Sequence, residues 1–148
     1  MTQLNEAKRI SNAEVRAGLY IEIKQYQYYK DELNIDMAEE LYDALNKNGL
    51  GQISACESTI PIIIQSFEED ALKKFATLSN LPLIMLASYS SEYDFDSIAE
   101  YAHGVGPDAK YIMYDSQGQS ETSNDRSKFV DRMHSLDLAV HPYTLRND

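Results

Sequence analysis

Apolar residues recur along the chain with two periods, two residues in some stretches and about 3.6 in others, and the two kinds of stretch alternate. Leu19–Lys24 (LYIEIK) has the period of a strand, with Leu19, Ile21 and Ile23 on one face and Tyr20, Glu22 and Lys24 on the other. A tyrosine-rich loop carrying Tyr26, Tyr28 and Tyr29 follows. Asp36 with Glu39 three positions on is a capping-box signature, and Gly49 is a natural stop. Between them Ala38, Leu41, Tyr42 and Leu45 line one helical face. Ile60–Phe67 (IPIIIQSF) is a nearly continuous β-branched run, the pattern of a strand covered on both faces. Glu68 and Glu69 then open a second helix, favourably placed for its dipole, with Leu72, Phe75 and Ala76 inward.

Pro82–Ala87 (PLIMLA) reads as a third strand, followed by a polar stretch and a short helix around Ser97–Ala102. Val105 and Tyr111–Tyr114 flank a Gly-Pro turn, GVGP at 104–107, and supply one or two short strands. Ser116–Asp125 is polar and aperiodic, hence a loop. Phe129, Val130, Met133 and Leu136 mark a further helix, and Leu138–Leu145 (LAVHPYTL) a closing strand. Strand and helix in this rhythm predict an α/β fold with parallel strands. Four or five strands are about half of an eight-stranded barrel, so the pattern fits a small open sheet or a partial TIM (β/α) barrel.

A strand covered on both faces has no packing reason to carry Glu22 and Lys24. The ends of barrel strands do, because metal ligands and phosphate-contacting cations stand there. An edge strand with one wet face and a surface Glu22–Lys24 pair fits the same spacing. Composition narrows the chemistry: 13 Lys and Arg against 24 Asp and Glu give a net charge of −11, which disfavours nucleic acid and anionic membranes as partners. No run reaches the roughly 18 apolar residues of a membrane helix, and the polar first 18 residues lack the apolar core of a secretory signal. The single cysteine, Cys56, excludes an internal disulfide and a cysteine-only metal site, and it reads as a bystander. His103 and His134 read as non-catalytic, and His141 as a hydrogen-bonded structural histidine near the site. The GVGP segment lacks the glycine spacing of a phosphate loop. The tyrosines 26, 28 and 29 stack on a ligand, cover the mouth of a barrel, or pack on one another.

LYIEIK at 19–24, IIIQSF at 62–67, EYAHGVGPD at 100–108 and AVHPYTLRND at 139–148 occur in a fixed order. Together they resemble blocks of the glycerophosphodiester phosphodiesterases, closest to the periplasmic bacterial-type branch and its eukaryotic relatives. The resemblance implies a TIM barrel and metal-dependent hydrolysis of glycerophosphodiesters to an alcohol and glycerol 3-phosphate. It implies Glu22 as ligand of a divalent cation, Ca2+ or Mg2+, and Lys24 near the phosphate. It places Gln65, Ser66 and Phe67 at a strand mouth against substrate, and Tyr143 and Thr144 at the glycerol end, with His141 and Arg146 beside them. The family's early His-Arg-Gly strand, its Glu-x-Asp ligands, its His-Asp pair and its closing Thr-Asp strand have no counterpart among residues 1–148. No catalytic residue is therefore carried over, and the implied cation site is incomplete. The expectation is a single partial domain, an inactive fragment of a full-length enzyme. The alternative is a stand-alone non-catalytic half-barrel that dimerises or binds a partner through open sheet edges. Localisation stays open, the resembling branch being periplasmic or secreted.

Overall fold

The computed structural model describes residues 18–53, 60–113 and 123–144. By contact density the chain divides into two compact units, Met1–Leu83 and Ile84–Asp148. The first holds strand β1 (Leu19–Ile23), helices α1 (Tyr26–Leu33) and α2 (Met37–Lys47), strand β2 (Ile62–Ser66) and helix α3 (Glu69–Ala76). Strand β3 (Leu83–Ala87) begins at the last residue of the first unit and otherwise belongs to the second, followed by α4 (Phe95–Ile98), β4 (Gly104–Pro107), α5 (Lys110–Met113), α6 (Ser123–Ser135) and β5 (Ala139–Val140). The class is α/β, with the alternation of parallel strands and helices expected of a partial TIM barrel.

In the first unit β1 and β2 pair in parallel, Leu19 opposite Ile62 through Ile23 opposite Ser66. One face of the pair joins Ile23, Ile62, Ile64 and Ser66, all buried. Ala38 and Leu45 of α2 and Ala71, Leu72 and Phe75 of α3 are buried in the same unit. Each large apolar side chain removed from water there contributes about 1.5–3 kcal/mol. The opposite face, with Tyr20 and Glu22 beside Ile63 and Gln65, stays partly open. So β2 is closed on one face, not on both as its β-branched run suggested, because run length reports β-branching rather than what covers each side.

Asp36 caps α2, its Oδ1 accepting from the amides of Ala38 (3.0 Å) and Glu39 (3.1 Å). The reciprocal arm of the expected capping box gives way to an ion pair between Glu39 and Lys74 of α3. The tyrosine-rich segment is helical, correcting the loop expected there. Gln25 turns the chain with φ 54°, in the left-handed region, and Tyr26 starts α1. Tyr26 is fully buried, donates its hydroxyl to Asp36 Oδ2 (3.1 Å), and lies under Lys30 Nζ at 5.2 Å from its ring centre.

In the second unit β4 pairs in parallel with β3 and with β5, and an isolated bridge joins Asp108 to Tyr143. GVGP is thus a fully buried strand and not a turn. Its glycines serve close approach: a Cβ at Gly104 would stand 2.7 Å from the Ala139 carbonyl oxygen, and one at Gly106 would stand 2.6 Å from Leu86 Cδ2. Residues 111–113 are helical rather than extended, and α6 begins at Ser123, inside the stretch read as a loop. The short helix starts at Phe95, earlier than expected, because Asp94 accepts from the Ser97 amide (3.2 Å). The closing strand shrinks to Ala139–Val140, after which Tyr143 still donates its amide to Pro107 O (2.9 Å). Phe129 of α6 packs against Phe95 (5.5 Å) and Tyr111 (5.3 Å), and Met133 is fully buried. Tyr114, residues 116–122, Cys56 and Leu145 lie outside the described residues. No helix among the described residues is long and apolar enough to cross a membrane.

Candidate functional site

Period-two alternation puts Glu22 on the open face at the end of β1, with Lys24 next on that face just beyond the strand. Lys24 Nζ lies 3.3 Å from Glu22 Oε2, with side-chain exposures of 72% and 22%. A pair so accessible to water contributes at most about 1 kcal/mol. It is not what holds the strand in place.

The holding is done one layer deeper. Ser66, at the end of β2, is fully buried. Its hydroxyl donates to the Ile23 carbonyl (2.8 Å) and accepts from the Glu68 amide (3.0 Å). Glu68 Oε1 in turn accepts from the Tyr26 amide (2.7 Å) and Oε2 from the Gln27 amide (2.9 Å), at the N-terminus of α1. A carboxylate there meets unpaired N–H groups and the positive end of the helix dipole. The ends of β1 and β2 and the loops after them are therefore one hydrogen-bonded unit.

Ser66, expected against substrate, is thus occupied within the protein. Gln65 stands opposite Glu22 in the strand register and is half-buried, and Phe67 is 42% exposed at the same strand end. A cavity of about 640 Å³ is lined by Gln25, Tyr28 and Glu68. Tyr28 is exposed and meets Tyr29 edge-on at 5.8 Å, so these two rings do pack on one another. Burial raises the Tyr20 phenol above its ordinary value. Tyr26 is pushed up to about 12, first by burial and then by its bond to Asp36.

The second unit carries the remaining expected residues. His141 is exposed and donates its amide to Val105 O (2.8 Å). Tyr143 is half-buried and donates its hydroxyl to Ala87 O (3.3 Å), while Thr144 is exposed. Arg146 lies outside the described residues. His103 and His134 line a separate cavity of about 330 Å³ with Asp137, Leu138 and Ala139.

Among the described residues no group of three or more His, Cys, Asp or Glu is arranged to hold a metal. Calcium takes about six to eight oxygens, and magnesium an octahedral set. Glu22 with its lysine partner does not by itself make a cation site. Glu68 is the residue that sequence reading missed. Its sequence position suits the start of its own helix, where its side chain makes no cap bond. The signal for its real role, two amides 42 and 41 residues away, is not local.

A match to the Glycerophosphoryl diester phosphodiesterase family spans residues 1–148. A glycerophosphodiester phosphodiesterase of Arabidopsis thaliana, GDPD6, is 27% identical over 152 residues, covering 88% of this chain and 40% of that protein. The glycerophosphodiester phosphodiesterase of Haemophilus influenzae is 24% identical over 162 residues, covering 90% of this chain and 43% of its own. The chain therefore spans about two-fifths of the length of these relatives. Among solved structures, the PaMucR phosphodiesterase in complex with c-di-GMP superposes with a TM-score of 0.57. It covers 98% of this chain and 64% of its own at 13% identity, a likeness of fold alone.

Proposed function

The chain belongs to the glycerophosphoryl diester phosphodiesterase family, and from that premise we propose that the intact protein hydrolyses glycerophosphodiesters to an alcohol and glycerol 3-phosphate. The observation that carries this reading is the Glu22–Lys24 pair at the end of β1, in the segment that resembles the family's metal- and phosphate-contacting strand. A phosphodiester is anionic and repels a nucleophile. An ammonium near its non-bridging oxygens offsets that charge and the charge that builds as the new bond forms. Lys24, 72% exposed, has room to turn from Glu22 toward such a group.

In this reading Glu22 would be one ligand of a divalent cation, Ca2+ or Mg2+, whose other ligands are not among the described residues, and the cation would supply Lewis-acid polarisation when bound. Gln65 and Phe67 face substrate, and Ser66 fixes the strand ends behind them. His141, Tyr143 and Arg146 are assigned to the glycerol end on the family resemblance. None of the residues of this chain is assigned as general acid or base. The test is release of glycerol 3-phosphate from glycerophosphocholine by the intact protein with Ca2+ or Mg2+. Wild type turns over, and Glu22→Gln and Lys24→Met fall by roughly a hundredfold or more. Unchanged rates in both variants refute the assignment.

One observation favours a second reading, a non-catalytic half-barrel that self-associates: Tyr20, 43% exposed, shares the open face with Ile63. Light scattering decides it. A concentration-dependent dimer lost in Tyr20→Ser supports association, and a monomer at every concentration refutes it.

A further inference from the structure

We propose that Glu68 is a positioning residue for the phosphodiester site, clamping through the Tyr26 and Gln27 amides the turn that carries Lys24. The proposal rests on the reading that Lys24 meets the phosphate. Glu68 precedes α3, where a side chain ordinarily caps its own helix, yet it makes no such bond. Both of its oxygens are spent instead on α1, at 2.7 and 2.9 Å. Helix α1 needs them, because its own N-cap residue, Gln25, makes no side-chain cap bond and sits at φ 54°. A non-glycine residue holds that conformation at a cost, so the surroundings must impose it.

The geometry of the clamp is specific to Lys24. Ile23 is tied to the end of β2 through its carbonyl and the Ser66 hydroxyl. Tyr26 is tied to the same strand end through its amide and Glu68. Ser66 also holds the Glu68 amide, so the two ties share one base. Lys24 and Gln25 are the two residues spanned between the ties. Releasing Glu68 lets Gln25 leave the left-handed region, which rotates the backbone of Lys24 and swings its long side chain away from its present direction. The Lys24–Glu22 contact cannot prevent this, being exposed and weak.

Glu68→Ala and Glu68→Gln are compared in the intact protein by amide hydrogen exchange and by kinetics on glycerophosphocholine. In Glu68→Ala the Tyr26 and Gln27 amides exchange roughly tenfold faster, the usual loss for a missing cap. In Glu68→Gln, which keeps one acceptor oxygen, only one of the two speeds up. In Glu68→Ala kcat/KM falls roughly tenfold to a hundredfold, as for a displaced contact group, and partly recovers in Glu68→Gln. The Lys24→Met/Glu68→Ala double variant is no slower than Lys24→Met alone, a coupling that a merely structural role does not produce. Unaltered exchange at both amides overturns the clamp. A double variant slowed by the product of the two single effects overturns its action through Lys24. If Lys24→Met itself has no effect, the phosphate reading fails and takes this proposal with it. If Lys24→Met is slow while both Glu68 variants match wild type, the proposal alone fails.

Discussion

Replacing Ser66 with alanine removes a single oxygen and breaks two bonds. Ser66 is fully buried, and its hydroxyl donates to the Ile23 carbonyl at 2.8 Å while accepting from the Glu68 amide at 3.0 Å. The cavity left is smaller than a water molecule, so packing loss is minor. The cost lies in the partners. A buried polar group stripped of its hydrogen bond costs about 1–3 kcal/mol. The Ile23 carbonyl bears most of this because its bond is buried, whereas the Glu68 bond is partly accessible and recovers in part through water. The sum is about 2–3 kcal/mol, a large share of the roughly 5–15 kcal/mol typical of a domain. Urea unfolding followed by far-UV circular dichroism measures it, provided the m-value matches wild type. Ser90→Ala is the control: Ser90 is exposed, with a hydroxyl bonded only to Ser88 among the described contacts, and its change stays within about 0.5 kcal/mol. A Ser66→Ala loss no larger than the control refutes the idea that this hydroxyl locks the two strand ends.

Asp36→Ala removes both the cap of α2 and the acceptor of the Tyr26 hydroxyl and destabilises by about 1–3 kcal/mol, whereas Asp36→Asn, which keeps the capping oxygen, loses less, as thermal melts of the two variants will show. Gly104→Ala forces a Cβ to within 2.7 Å of the Ala139 carbonyl oxygen, so denaturant unfolding reports a loss of about 1–3 kcal/mol. Tyr26, raised from 10.0 to about 12 in the folded state, binds its proton more tightly than in the unfolded chain. Its contribution is therefore fully present below pH 10 and is lost as pH rises toward about 12. The difference in 295-nm titration between wild type and Tyr26→Phe isolates this step. A difference curve centred near 10, the ordinary tyrosine value, refutes the buried assignment.

What could be read in advance follows the range of the interaction behind it. The α2 helix was legible because its apolar face and its Asp36 cap lie within a dozen residues of one another. Strand β3 was legible because LIMLA is apolar at every position and buried at every position. The identity of α1 was not. Tyr26, Tyr28 and Tyr29 carry no helix-start signal of their own, and the groups that satisfy the first amides of α1 belong to Glu68. GVGP misled for a related reason. Glycine permits a turn, but here its missing side chain is what lets Ala139 and Leu86 approach.

The sequence by itself determined the alternating strand–helix order, the family, and the face on which Glu22 and Lys24 fall, because periodicity and motif are written in neighbouring residues. Tertiary structure alone decided that Ser66 is a buried tie, that Glu68 caps a helix other than its own, and that GVGP is a strand. Each of those depends on a donor, an acceptor or an excluded volume brought close only by folding. A hydrogen bond is indifferent to sequence separation and responds to distance in space.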